Sequence, residues 1–404
     1  MITHIEIEGF KSLKKVALDL GGLNIFIGTN ASGKSNFFEA LRVLQGIGFG
    51  FSISEIFDGK PKSATGEVWE PIRGGSALAS FRDPSAAEPP PRIVHFTVGL
   101  TDSRLGQPLT YSTAIDTGDL EVRNESLYLG ESRVFATAEQ TAKARLGSTS
   151  IPVYVGEGGT SISRSRPALT QVATRSLSTE HDREVMDICS HLLTNTQALD
   201  LSAETLRDYS RVPLAMRMGD RGENFAGLVG LILRQKPSAD AYTSWLKELT
   251  PTELDEVVLM SGALKEPLFA VKRGNQKIPA PILSDGTLRF AAIAAAFFQP
   301  DMPDTLLIEE IETGLHPTRL RLLLELLKSQ SASGTPQVMA TSHSPQVLAW
   351  LNEDDYKTTF LCRKDDETGA STITPLSEVP GFLDLARKQP AADLFAEGWL
   401  EGAL

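Results

Sequence analysis

Cysteine is nearly missing: Cys189 and Cys362 are the only two in 404 residues. Two such distant cysteines exclude a disulfide framework and offer no zinc-ligand spacing, which fits a cytoplasmic protein. Long apolar runs are missing too. None approaches the ~18 residues that span a bilayer, and the opening MITHIEIEGF alternates like a strand rather than a signal peptide, so no membrane role is expected. There are no internal repeats and no heptad run long enough for a coiled-coil arm. Positive charge is in deficit: 39 Lys and Arg face 51 Asp and Glu, a formal net charge of −12. That balance argues against a protein that coats nucleic acid indiscriminately, but it leaves room for a local basic groove. What remains has the composition of an ordinary globular protein, too long for one compact core.

Periodicity supplies the organisation. ITHIEIEGF, VALDL and LNIFIG read as strands, and NFFEALRVL, from Asn36, reads as a helix. RIVHFTVGL, TYSTAID and EVRNESLYLG read as strands of a meander, broken by SAAEPPP and GEGGTSISRSRP as loops. From about residue 178 the pattern turns helical: STEHDREVMDICSHLL, ENFAGLVGLILRQK, ADAYTSWLKEL and PTELDEVVLM, the last with Pro251 in its first turn. LFAVKRGNQKIPAPIL reads as a hairpin turning at Gly274-Asn275. A helix over about 287–298 follows, then the strand DTLLIEE, the helix PTRLRLLLELLKSQ and the strand QVMATSH. Strands alternating with helices at both ends of the chain predict one α/β sheet assembled from both ends, with the middle as an insertion. The predicted blocks are an N-terminal lobe over 1–175, a helical insertion over 176–265 and a C-terminal lobe over 266–404.

Residues 28–35, GTNASGKS, match GxxxxGK[ST] between a strand and a helix. Glycines let backbone N–H groups curl around phosphate oxygens, and the helix start adds a favourable field. Asn30, Ala31, Ser32, Gly33, Lys34, Ser35 and Asn36 are therefore candidate ATP contacts. Lys34 would neutralise the β- and γ-phosphates, and the Ser35 hydroxyl would ligate Mg²⁺. LLIEEIETGLHP then delivers Glu309 and Glu310 at the end of an apolar strand. An acid in the first position suits the magnesium shell, and one in the second can polarise the attacking water. Glu309 stands where Asp is usual; its extra methylene is tolerable if it reaches the ion through water. One strand–helix–strand step later, His343 is placed to sense the γ-phosphate. LSDGTLRF, residues 283–290, puts Ser284, Asp285 and Gly286 just ahead of a helix, the ingredients of an anion-receptive helix start.

The order P-loop, LSDG, acid pair and His resembles the ATP-binding-cassette head of the SMC, RecF and OLD-nuclease group. IEIEGFKSL resembles that group's opening strand and its Phe-(Arg/Lys)-Ser turn, which adds Lys11 to the ATP-binding candidates. The resemblance covers the first fifty or so residues and roughly 266–365. It implies an α/β P-loop head with a mixed sheet, an N-terminal β meander and a helical insertion between two lobes. It also implies ATP hydrolysis with Mg²⁺. In that family two heads pack head to tail, so Ser284, Asp285 and Gly286 would act in trans on the partner's ATP in a homodimer. Asp285 and Thr287-Leu288-Arg289 are of the SMC/RecF kind and set the chain apart from transporter cassettes. Glu312-Thr313-Gly314-Leu315-His316 replaces the family's usual loop after the acids. That form resembles single-chain ATPases found with phage-defence or nuclease partners, which implies a separately encoded effector, a nuclease or a toxin. Gln171 is the candidate for the family's metal-contacting glutamine.

Three roles compete: a DNA-acting or DNA-sensing ATPase switch with an effector, a nucleotide-gated scaffold or inhibitor of a toxin-like partner, and a RecF-like repair ATPase. Arg207, Arg211, Arg217 and Arg221, with Tyr209 among them, read either as a phosphate-backbone strip or as surface arginines paired with Asp208, Asp220 and Glu223. The tail DLFAEGWLEGAL reads as a short amphipathic helix docked on the lobe.

Overall fold

The structure, a computed structural model, describes all residues except 61–68, 84–91, 139–148, 157, 176–177, 213, 251–253, 333, 335 and 400–404. The predicted SAAEPPP loop, Pro251 and Leu400 lie outside the described residues. The chain divides into two compact units. One comprises Met1–Gly21, Gly28–Thr196 and Phe360–Glu378; the other comprises Gly22–Ile27, Gln197–Thr359 and Val379–Leu404. Both are built from separated stretches of the chain.

The first unit carries an eight-stranded antiparallel sheet that begins with the strands Leu13–Asp19 and Ile2–Phe10 and continues through the meander to Gly158–Ser163. Alternation explains the opening strand: Ile5 and Ile7 are buried while Glu6 and Glu8 face solvent. GGTSIS, read as loop, is the last strand, paired in register with Ser150–Val155. Its glycines and serines carry no apolar signature, and the ladder to its neighbour decides its state. The helix Lys34–Gly48 belongs to this unit, as does Glu180–Thr194, which opens on a Thr179/Asp182 capping box. The hairpin Thr359–Lys364/Ser371–Pro375 closes it but for its first residue.

The second unit is built on parallel ladders: Thr305–Ile308 pairs with Gln337–Ser342, which pairs with Leu23–Ile27. These strands are almost wholly buried, as parallel strands covered on both faces must be. PTELDEVVLM, read as a helix, contains the strand Glu256–Ser261, paired antiparallel with Pro267–Arg273. β-Branched Val257 and Val258 favour that outcome once a neighbouring strand is present. The expected hairpin at Gly274-Asn275 is there, with Gly274 at φ +57°. Leu394, in the helix Ala391–Ala396 of the tail, is buried. Together the units form a mixed α/β fold. Among the described residues no helix exceeds 15 residues, and none is long and apolar enough to cross a membrane.

One buried acid in the first unit has a thermodynamic consequence. Glu125 is 2% exposed, and its carboxylate accepts the Ala168 and Leu169 N–H groups at 2.6 and 2.7 Å. It caps the helix Ala168–Ala173, where Pro167 offers no side-chain cap. Burial dominates over these bonds and pushes its carboxyl up from 4.5 to about 7. Because the folded value lies above the unfolded one, the stability this group contributes is complete below pH 4.5 and is lost as pH rises through about 7. The swing is on the order of 3 kcal/mol. Glu125→Gln should therefore gain on the native protein between pH 5 and pH 8.5. Paired thermal melts check this, and a pH-independent difference would contradict it.

Candidate active site

The phosphate loop lies in the first unit. Gly28 must be glycine because a Cβ there would lie 2.2 Å from the Cys362 carbonyl oxygen. Gly33, at φ +106°, precedes the helix Lys34–Gly48 and provides no side-chain cap; a helix start of this kind favours an anion. Thr29, Asn30 and Ala31 are exposed, Ser32 and Lys34 are buried, and Ser35 and Asn36 are half-buried. The Lys34 ammonium donates to the Gly28 and Thr29 carbonyls, each at 2.7 Å, and to Ser32 Oγ at 3.2 Å. A buried cation satisfied by its own loop can exchange those acceptors for phosphate oxygens. Asn36 Nδ2 donates to Ser12 Oγ at 2.6 Å, and Ser371 Oγ donates to the same oxygen at 2.7 Å. The Phe-Lys-Ser turn is thus fastened to the loop helix through Ser12.

Lys11, at φ +50°, pairs with Glu39 and donates to the Arg73 carbonyl at 2.9 Å. Burial pulls its ammonium below the usual lysine range, with Glu39 opposing. Gln171 spends its amide locally: its Oε1 accepts the Ser163 N–H at 3.0 Å, and its Nε2 donates to the Ser163 and Arg166 carbonyls, each at 2.9 Å. Those bonds cap the turn into Ala168–Ala173 and leave no side-chain oxygen directed to an ion.

The acid pair lies in the second unit, at the end of Thr305–Ile308. Glu310 sits at φ +49°, a left-handed backbone that costs a non-glycine residue on the order of 1–3 kcal/mol. Its N–H donates to Thr341 Oγ1 at 2.9 Å, and the Ile311 N–H donates to the Thr341 carbonyl at 3.1 Å. The Glu310 carboxylate is braced at both oxygens: Oε1 lies 3.0 Å from His343 Nε2, and Oε2 accepts from Thr313 Oγ1 at 3.1 Å. The His343 bond is the largest influence holding its carboxyl below the usual range. A half-exposed, ionised carboxylate held at fixed orientation is suited to accept a proton from water. Glu309, partly buried, donates its N–H to the Leu199 carbonyl at 3.3 Å. The His343 N–H donates to Glu312 Oε1 at 2.6 Å, which ties the histidine segment to the loop after the acids. His316 caps the helix Pro317–Ser331, its ring accepting from the Thr318 N–H.

The signature turn is in the same unit. Ser284 caps the helix Asp285–Ala296, accepting from the Thr287 N–H at 3.2 Å. Ser284 and Asp285 are exposed, while Gly286 and everything after it in the helix is buried. Asp285 pairs with Arg207, which also donates to the Leu283 carbonyl at 3.1 Å. A Cβ on Gly286 would lie 2.2 Å from the Gly314 carbonyl oxygen, so the glycine is required by the loop after the acids. Gly286→Ala should force that loop away at a cost of roughly 1–3 kcal/mol and lower ATP turnover with it. Calorimetry and an ATPase assay check both effects, and a variant of native stability would contradict the contact.

Of the arginine cluster, Arg207 pairs with Asp285 and Arg217 with Asp301, acids distant in sequence from the neighbours expected. Arg211 and Arg221 are exposed. Sequence reasoning named Arg289, Glu312 and Thr313 only as marks of the family resemblance and gave them no role in the site. Arg289 was visible as a lone cation in an otherwise apolar helix, and Glu312 as a third acid just past the pair.

Comparison with known proteins finds similarity to ATPase domains. Residues 177–349 match the family model described as "AAA domain, putative AbiEii toxin, Type IV TA system", and residues 1–59 match one described as "AAA ATPase domain". An "ATP/GTP phosphatase" of Helicobacter pylori (strain ATCC 700392 / 26695) is 24% identical over 388 residues, covering 91% of this chain and 93% of that protein. The crystal structure of an SmcHead bound to the C-winged helix domain of ScpA shares the fold at TM-score 0.56 and 16% identity, over 96% of this chain and 99% of that one. An Smc head with an extended coiled coil, bound to the C-terminal domain of ScpA derived from Pyrococcus furiosus, does so at 0.53 and 14%, with the same coverage.

Proposed function

We propose, from the premise that this chain is an ATPase with an SMC/RecF-like head, that two copies close head to tail around ATP and reopen on hydrolysis. In this reading the cycle of closing and reopening is coupled to a separately encoded effector or to DNA. The observation that carries it is the exposed Ser284-Asp285 turn at the start of a buried twelve-residue helix. Such a helix start is an anion site facing outward, toward a second molecule.

The division of labour follows from the residues. Lys34 and the N–H groups of the loop helix bind phosphate oxygens, with Asn30, Ala31, Ser32, Gly33 and Asn36 shaping the loop. Ser35 and Glu309 are hard oxygen donors of the kind Mg²⁺ takes, Glu309 through water; a bound Mg²⁺ would neutralise charge on the phosphates. Glu310 takes the proton of the attacking water, and His343 holds the Glu310 carboxylate and the γ-phosphate side in register. Lys11 would contribute only by leaving Glu39, and Gln171 only by surrendering its backbone bonds; both are weaker members of the set.

The test is the mass of the Glu310→Gln variant in solution. With ATP it should elute as two chains and without ATP as one, and a second substitution, Ser284→Arg, should abolish the pairing. A strict monomer in every condition would overturn the reading.

A second reading is supported by the toxin and type IV description of the family matched over residues 177–349. There the ATP-bound pair would hold or restrain a toxin-like partner, with turnover incidental. Glu310→Gln separates the two: a motor loses its cellular effect, whereas a nucleotide-gated scaffold keeps or strengthens it. A third reading, a stand-alone RecF-like repair ATPase, requires binding of gapped or ended DNA by the pure protein. The net charge of −12 weighs against that.

A further inference from the structure

We propose that Arg289 is a positioning residue for hydrolysis, gripping the backbone of the acid pair from the signature helix. The proposal rests on Glu310 being the base. Arg289 lies one turn beyond Gly286 in Asp285–Ala296 and is 9% exposed. Its guanidinium donates to the carbonyl oxygens of Glu309 at 2.5 Å, Glu310 at 3.0 Å and Leu201 at 2.8 Å.

A buried guanidinium whose hydrogen bonds go to neutral carbonyls is an expensive way to fill a core. An apolar side chain of similar volume is usually no worse for stability. Arginine offers instead a rigid planar fork that fixes several acceptors at once. The two acceptors at Glu309 and Glu310 bracket the left-handed turn of Glu310. Such a backbone persists only where its surroundings over-determine it. From one side Thr341 Oγ1 takes the Glu310 N–H, and from the other Arg289 holds the Glu310 carbonyl. The carboxylate of Glu310 is thereby aimed by groups that never touch the reacting atoms.

A second consequence concerns communication. Ser284 begins the helix that carries Arg289, so a phosphate seated on that helix start acts on the same rigid element that holds Glu310. The close approach of Gly286 to the Gly314 carbonyl is a second contact between that helix and the loop after the acids. The signature turn is thus wired to the base within one chain.

The experiment compares Arg289→Met, Arg289→Lys, Glu310→Gln and Arg289→Met/Glu310→Gln by single-turnover ATP hydrolysis, with a fluorescent ATP analogue for affinity. Arg289→Met should lower the hydrolysis rate about 10²-fold with affinity unchanged, the scale of a misaimed catalytic group. Arg289→Lys keeps the charge and part of the grip and should recover about tenfold of that loss. In the Glu310→Gln background Arg289→Met should have no further effect, because it acts through the residue already removed. If Arg289→Met does not fold, Arg289→Lys alone decides, through the same split between rate and affinity. Native rates in a folded Arg289 variant, or full multiplicative losses in the double variant, overturn the proposal. An active Glu310→Gln would instead sink the assignment of the base, leaving Arg289 to be judged by its own rate loss.

Discussion

Replacing Glu310 with glutamine is expected to reduce kcat for ATP hydrolysis about 10²–10⁴-fold while leaving KM within roughly a factor of two. The asymmetry follows from where Glu310 sits. Its carboxylate is braced by His343 Nε2 and Thr313 Oγ1 and is half-exposed. Glutamine matches it in size and can still face the same neighbours. It cannot accept a proton at neutral pH, whereas Glu310, held below its usual range chiefly by the His343 bond, is ionised there. Loss of the chemical step without loss of binding accumulates the ATP-bound state, which is why the same variant reports on pairing of two chains. Steady-state kinetics with a coupled phosphate assay measure the split. A kcat within threefold of native would remove Glu310 from the mechanism.

Replacing Lys34 with alanine is expected to do the reverse, raising the ATP dissociation constant on the order of 10²–10³-fold, which corresponds to about 3–4 kcal/mol. Charge-assisted bonds contribute roughly 1.5–3 kcal/mol each, and a P-loop lysine makes more than one. Lys34 is also the cation that satisfies the Gly28 and Thr29 carbonyls, so its removal exposes a loop with unpaired acceptors as well as removing charge. A modest drop in melting temperature should accompany the loss of affinity. Arginine is no remedy, because the 6% exposed pocket is filled by a four-carbon stem and a compact ammonium. Calorimetric titration with ATP checks the affinity. Undiminished binding by a folded Lys34→Ala variant would refute the assignment of the loop.

These two variants are expected to form a contrast pair: one should bind without turning over, and the other should scarcely bind. The positions concerned were legible because their chemistry is local. A glycine loop needs only a strand before it and a helix after it, and the acid pair needs only an apolar strand to deliver it. Ser284 was legible for the same reason, as a cap ahead of an apolar helix. By contrast, Arg289, Glu312 and Thr341 act through backbone groups that are distant in sequence. Their partners are set by the crossing of a helix, a loop and a strand end, which no window of sequence contains. The assignments of Lys11 and Gln171 show the opposite case. Each looked available on the sequence, yet Glu39 takes the first and the carbonyls of Ser163 and Arg166 occupy the second.

The same distinction runs through the fold. The sequence by itself determined the fold class, the P-loop, the acid pair, the turn ahead of the long buried helix and most strands of the meander, because alternation, capping and glycine sterics act over a few residues. Only the tertiary structure decided that GGTSIS and EVVLM are strands and that Gly286 is glycine for the sake of Gly314. Strand pairing and close approach depend on which surfaces meet. That is a property of the folded chain, and it is encoded only collectively in its residues.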